Sequence, residues 1–499
     1  MRRTDQSPQQ PASPRRRSST RAEQQTPPAQ ARATRTCSSQ SSHVAVDERP
    51  ERKATGRALR DTVPRTSHAG WKTPKGRRDP VEITLASNEG RMGDLLPIRH
   101  GRMSASPFAF YRGSAALMAA DLATNPTSGI RVQACGDAHL MNFGGFATPE
   151  RNVIFDINDL DETLPAPFEW DLKRLAASVV IAAQHLDLPD SDAASVAMDL
   201  VREYRVRMSN YATMRSLDVW YDKIDLQRYE DRTGDPEILA TIRKRVAQDI
   251  KVERRKTAPE HLFPKLVSQD GARPAIKDEP PLIFHPTADL APGLKSGYVE
   301  SIAAYRETLL AHVRTLFDRF QFLDLAVKVV GVGSVGTQCY VGLFMAGDND
   351  PLFLQVKEAR ASVLEPYAGK SLYPNHGQRV VEGQRLMQTA SDVFLGWTRE
   401  KNGRDFYVRQ LRDMKLSAII EDWDTKLLRQ YARMCAHALA RAHARSGDAA
   451  TISGYMGAGQ TFEDAVGEFA IEYSSQNRTD YRAFVQAIRE RRVKAIVEQ

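Results

Sequence analysis

Two spacings of apolar residues alternate along this chain, three to four residues in some stretches and two in others, and together they predict a mixed α+β protein. In FEWDLKRLAASVVIAAQHL (168–186) apolar positions recur at i, i+3, i+4 and i+7, the stripe of a helix packed on a core. SPFAFYRGSAALMAADLA (106–123) opens on a Ser-Pro start signal and keeps the same spacing. RVQAC (131–135) and RNVIFDI (151–157) are short β-branched runs, and the glycines and proline of GDAHLMNFGGFATPE between them predict a loop. Further helices are expected through residue 257, then an exposed excursion rich in proline and charge at 258–298, then a helix near 299–320. DLAVKVVGVGSVGTQCYVGLFMA (324–346) and DPLFLQVKEAR (350–360) read as three successive strands. A helix at 377–390, strands at DVFLGWT and FYVRQL, and helical sequence from 425 complete the pattern.

Length and composition narrow this picture. With 499 residues, 41% of them apolar, the chain can bury a sizeable core in two or three structural units. Its longest apolar stretch, LAASVVIAA at 175–183, is too short to cross a bilayer, and no apolar run follows the first arginines, so a cytoplasmic protein without a membrane partner is expected. Cys37, Cys135, Cys339 and Cys435 lie far apart, with neither a CxxC pair nor zinc-ligand spacing, and read as reduced thiols. The net charge of +8 is unevenly distributed: residues 1–80 hold 18 Lys plus Arg against 7 Asp plus Glu, a balance of +11, which leaves −3 for the rest. A disordered basic tail over 1–80 is therefore expected, and only through it would nucleic acid or another anionic partner bind.

GVGSVG at 331–336 fits GxGxxG, a weak signal on its own. A dinucleotide fingerprint would run from strand into helix, with Glu358 at the spacing of a ribose-binding acid. Here TQCYVGLF follows, alternating and β-branched, so the glycines turn a β-hairpin, as in kinases. Gly331, Gly333, Ser334 and Gly336 then form a loop whose backbone amides can cover triphosphate oxygens. Lys357, in the third strand, stands where a kinase needs a lysine for the α- and β-phosphates. Glu382, in the helix GQRVVEGQRLMQ, is placed to pair with it, with Glu358 and Glu365 as competitors.

In GDAHLMN, Asp137 precedes Asn142 by five residues, the Asp-to-Asn interval of the kinase catalytic loop. The aspartate would orient or accept the proton of an attacking hydroxyl, and the asparagine carbonyl would ligate Mg²⁺. Asp156 closes the apolar strand NVIFD, so its carboxylate would emerge at a strand end as a second metal ligand. Asp159, Asp161 and Glu162 read as a solvated acidic turn that could lend one ligand, and Arg112 and Arg409 as possible contacts for an anionic substrate.

The segment 136–175 resembles the aminoglycoside phosphotransferase and choline kinase branch of the kinase-like superfamily, whose HGDxHxxN, strand-terminal Asp and later DLA have counterparts in CGDAHLMN, VIFD and WDLKRLA. Cys135 replaces the first His of that pattern. The resemblance implies that His139 braces the loop and that Asp171 is structural. From about residue 95 onward the chain also resembles the bacterial domain of unknown function family 2252, through RHGRMSASPFAFYRG, CGDAHLMNFGGFA, FDINDLDETLPAPFEWDLKRLAAS, GVGSVGT, LQVKEA and RLMQTASDVFLGW.

Kinases place the glycine loop before the catalytic loop; here the order is reversed. Catalysis needs convergence in space and tolerates any chain order. The expected fold is a kinase-like bilobal one with permuted order: 81–323 as a large helical lobe carrying the catalytic loop and an insertion, 324–415 as a small β-rich nucleotide-binding lobe, and 416–499 as helices completing the large lobe. The expected function is ATP- and Mg²⁺-dependent phosphoryl transfer to a hydroxyl or amine of unread identity. A nucleotide-binding pseudokinase, an adenylyl-transferring module and a metal-dependent phosphatase are the alternatives, the last because GDAH resembles the GDxH of metallophosphoesterases. The sequence is silent on oligomeric state.

Overall fold

In the computed structural model the described residues are 48–496, apart from 229–235, 258, 269–273, 286–293, 330, 332, 334, 348–349 and 412–414. The protein is mixed α+β. Its largest sheet is antiparallel and six-stranded, in the order Gly396–Arg399, Asp405–Gln410, Pro351–Ala359, Cys339–Met345, Gln321–Lys328, Ile283–Phe284. The three successive strands expected at 324–360 are its centre, and the glycine loop joins two of them as a hairpin. Period-2 patterning decides the faces. Leu325, Val327, Tyr340, Leu354 and Val356 point to one side, where Tyr298, Tyr305 and Phe317 of the helices Leu294–Thr308 and Ala311–Phe317 cover them. Ala326, Val341, Leu343 and Phe353 point to the other, against Phe263, Val267 and Ile276. The stretch 258–298 is thus no free excursion where it is described: its apolar residues cap one face of the sheet and its strand Ile283–Phe284 forms an edge.

The GDAHLMN loop sits on a helical body. Phe168–His185 is buried along nearly its whole length between Asp190–Tyr211, Thr425–Ser446 and Thr461–Arg489. Burial on all sides explains why its second half, Leu175–Ala183, is alanine-rich and free of charge, since close helix approach needs small side chains. A four-stranded sheet, Leu416–Ser417, Phe143–Ala147, Val153–Ile157 and Ile224–Asp225, packs beside it. Phe143–Ala147 lies where a loop was expected. Gly144 and Gly145 are required not for turning but for contact: a Cβ on Gly144 would stand 2.6 Å from the Leu416 carbonyl oxygen.

The expected tail over 1–80 is also corrected in its described part. Arg49–Thr62 is a helix crossing Ala449–Met456 so closely that a Cβ on Gly56 would lie 2.0 Å from the Thr451 carbonyl oxygen. Trp71 is buried against Phe469 and Tyr473, and Arg77 bridges Asp121 and Asp480 at 2.7 Å each. Cys135, Cys339 and Cys435 are buried free thiols; Cys37 lies outside the described residues. Among the described residues no helix is long and apolar enough to cross a membrane.

Candidate active site

The helix Phe168–His185 builds the first wall. At its N-terminal turn Asp171 accepts the backbone N–H groups of Cys135 (2.6 Å) and Gly136 (2.9 Å), and His443 lies 3.1 Å from the same carboxylate. Asp171 is therefore structural, as the resemblance implies. One helical turn later Arg174 donates from Nε to Asp137 Oδ1 at 2.8 Å, with its Nη2 on the same oxygen. Burial opposes the Arg174 charge, but Asp137 outweighs it and raises the pKa further. The Asn142 side-chain amide donates to the Asp137 carbonyl oxygen at 2.7 Å, which closes the loop and leaves the Asn142 carbonyl oxygen for other work. His139 is buried, and burial pushes its pKa down to about 4, so it is neutral near pH 7.

The second wall comes from the six-stranded sheet. Lys357 alternates with Val356, so as Val356 enters the core Lys357 faces the cavity it shares with Asp137, with Cys339 and Tyr407 as cross-strand neighbours. Its ammonium lies 3.3 Å from Asp159 Oδ2 and also pairs with Asp161. Burial opposes the Lys357 charge, yet the two carboxylates outweigh it and hold its pKa well above the ordinary value. Burial likewise works against the Asp159 carboxylate, but Lys357 and Arg409 hold its pKa below the ordinary value, whereas burial and then Asp159 raise that of Asp161. Of the two carboxylates, Asp159 therefore keeps its charge to the lower pH.

A cavity of about 680 Å³ lies between these walls and is lined by Asp137, Asn142, Asp159, Gly331, Gly333 and Lys357 among others. Five of the sequence-predicted site residues thus meet: Asp137, Asn142, Gly331, Gly333 and Lys357. Ser334 lies outside the described residues. The other three do not line the cavity. Asp156 is fully buried, because its strand is covered on both faces, and it is neutralised by Arg441 of the helix Thr425–Ser446. Gly336, at φ +86, serves the hairpin rather than the cavity: its carbonyl accepts the Met92 N–H at 2.6 Å. Glu382 pairs with Arg385 at 3.1 Å, since the helix His376–Met387 turns Gln384, not Glu382, toward the cavity. Of its competitors, Glu358 pairs with Arg404 at 3.0 Å and Glu365 lies 3.7 Å from His376.

The acidic turn expected to be solvated therefore supplies the lysine's partners. No local spacing could show this, because 198 residues separate Asp159 from Lys357. Arg174 did carry a signal: it lies three residues beyond Asp171, on the same helix face. Among the described residues no three or more His, Cys, Asp or Glu side chains group as a metal cage would require. What the cavity does offer a hard cation is carboxylate and amide oxygen, from Asp159 and Asn142.

No curated protein and no solved structure matches this chain. The family model described as an uncharacterized protein conserved in bacteria, DUF2252, matches residues 91–487, which include both walls of the cavity, and the chain belongs to that family.

Proposed function

We propose that this protein is an ATP- and Mg²⁺-dependent phosphotransferase of kinase-like type, with the sheet bearing the glycine hairpin and the helical body bearing the catalytic loop in reversed chain order. One observation carries the reading: Asp137, Asn142, Lys357 and the glycines 331 and 333 line a single cavity although the chain brings them from distant segments. Those are the parts that phosphoryl transfer requires, and positioning with charge neutralisation accounts for most of its catalysis.

Each residue then has a defined task. Lys357, kept charged by Asp159 and Asp161, binds phosphate oxygens as the nucleotide enters. Asp137 has Oδ1 committed to Arg174, which fixes the carboxylate and leaves Oδ2 for the acceptor's proton. The acceptor oxygen or nitrogen bonds to the γ-phosphorus as the bond from that phosphorus to the β,γ-bridging oxygen breaks; the electron pair leaves with ADP and the proton passes to Asp137. A bound Mg²⁺, held by Asn142 and Asp159 rather than by the buried Asp156, would neutralise charge on the phosphate oxygens.

Calorimetry with Mg²⁺ and a non-hydrolysable ATP analogue tests the reading. We expect saturable binding, and in Asp137→Asn a loss of turnover on the order of 10³-fold with nucleotide affinity retained. Absence of nucleotide binding would overturn the proposal. Binding with no product from the natural chain would reduce it to a nucleotide-binding module.

A further inference from the structure

Among the arginines that line the same cavity, Arg91, Arg99, Arg112 and Arg360 form no ion pair with a carboxylate among the described residues. Arg99 is the plainest case. It is 1% exposed, its Nη1 and Nη2 donate to the neutral oxygens of Asn88 and Gly113 at 2.9 Å each, and its buried Nε has no acceptor. Arg91 donates only to the carbonyls of Ser87 (3.2 Å) and Val335 (2.8 Å). Arg360 reaches the carbonyls of Ser87 and Glu89. Arg112 makes no side-chain hydrogen bond, and its buried Nε is likewise unpaired. A charge removed from water without a counter-charge is costly.

Of the acids that share the cavity, Asp137 pairs with Arg174, Asp159 and Asp161 with Lys357, and Glu358 with Arg404, while Glu162 acts on Arg91 without forming an ion pair with it. Burial, followed by Arg91 and Arg360, lowers the pKa of Arg99, and no acid acts on it in the opposite sense. These arginines come from the turn after Pro80–Ala86, from the helices Leu96–Ser104 and Pro107–Gly113, and from the end of the strand Pro351–Ala359. Arg112 follows Tyr111, whose carbonyl accepts at 3.2 Å from the same Arg174 that holds Asp137, so an anion held there sits at the end of the cavity where the acceptor's proton would be taken. Arg91 also donates to Val335 of the glycine hairpin, so an anion held here sits beside the nucleotide's phosphates, which have Lys357 of the sheet.

We infer that the second substrate is a small molecule already bearing a phosphoryl group, which Arg91, Arg99 and Arg112 hold while its free hydroxyl or amine faces Asp137. Several unmatched guanidinium groups suit a doubly charged, three-oxygen phosphoryl head better than a singly charged carboxylate. The inference rests on the phosphotransfer reading for the word substrate, but not for the anion site itself.

The test is calorimetric and uses the full chain with inorganic phosphate as probe, in the presence and absence of saturating Mg²⁺ and the non-hydrolysable ATP analogue. Phosphate should bind alongside the analogue, acetate at equal concentration should not, and at least one member of a set of small phosphomonoesters with free hydroxyls should displace the phosphate. Arg112→Gln and Arg99→Met should each weaken phosphate at least tenfold while changing analogue affinity less than threefold. Arg112 is part-exposed, so its variant decides the matter if Arg99→Met lowers the melting temperature. Competition between phosphate and the analogue, unchanged affinity in Arg112→Gln, or displacement by no ester would each overturn the inference. If the analogue fails to bind but arginine-dependent phosphate binding persists, phosphotransfer is wrong and the anion site stands.

Discussion

The two walls of the cavity are built to different rules. On the helical body the loop at 135–142 is held at several points: two N–H groups by Asp171, the Asp137 carboxylate by Arg174, and the Asn142 amide by the Asp137 carbonyl. On the sheet, Gly331 and Gly333 are exposed and little crowds them; a Cβ on Gly331 would meet nothing within 4 Å. One wall is set before a ligand arrives, and the other has room to settle on it. Preorganisation where protons move and latitude where phosphates enter is a division of labour consistent with the proposed chemistry.

Substitutions can break that contrast. Arg441→Met should have the largest effect on stability, about 3–5 kcal/mol in denaturant unfolding, because it strands the fully buried Asp156 without its counter-charge. Nucleotide affinity should hardly change in the folded variant; if it falls more than tenfold, Asp156 belongs to the site after all. Next comes acid. The folded pKa of His139, about 4, lies below its ordinary 6.5, so the unfolded chain takes the proton more readily. Its contribution is therefore intact above pH 6.5 and lost as pH falls toward 4, roughly 3 kcal/mol in all. Melting temperatures across that range should fall, and His139→Gln should flatten the slope. Smaller still, Gly336→Ala forces a side chain into φ +86 with its Cβ 3.2 Å from that of Arg91, a cost of about 1–2 kcal/mol. Gly331→Ala should shift stability by less than about 0.5 kcal/mol, since the space is open. Equal losses in the two glycine variants would show that the open part of the hairpin has no more latitude than its packed end.

Local periodicity made the central strands, the helix Phe168–His185 and the Asp137–Asn142 spacing legible in the sequence. Where reading failed, the missing information was tertiary. That Asp156 is sealed off depends on the neighbouring strand Ile224–Asp225 at the edge and on the helix Thr425–Ser446, neither of which the run NVIFD announces. The rotation of His376–Met387 is set by Val380 and Val381 packing on Tyr407, and it carries Glu382 away from Lys357. Gly144 and Gly145 read as loop residues because sequence does not separate a glycine needed for turning from one needed for closeness.

The crossing of Arg49–Thr62 with Ala449–Met456 has a practical consequence for experiments on the basic N-terminus. Of the +11 carried by residues 1–80, +6 belongs to 48–80, where 10 Lys plus Arg face 4 Asp plus Glu, and only +5 precedes it. Part of that +6 is already spent on Asp448, Asp121 and Asp480. Trimming the chain at residue 80 would uncover Phe469 and Tyr473 and leave Asp480 without Arg77, so lost activity would report on damaged folding. Trimming at residue 47 leaves those contacts in place, and it is the cut that tells whether the first residues bind anything.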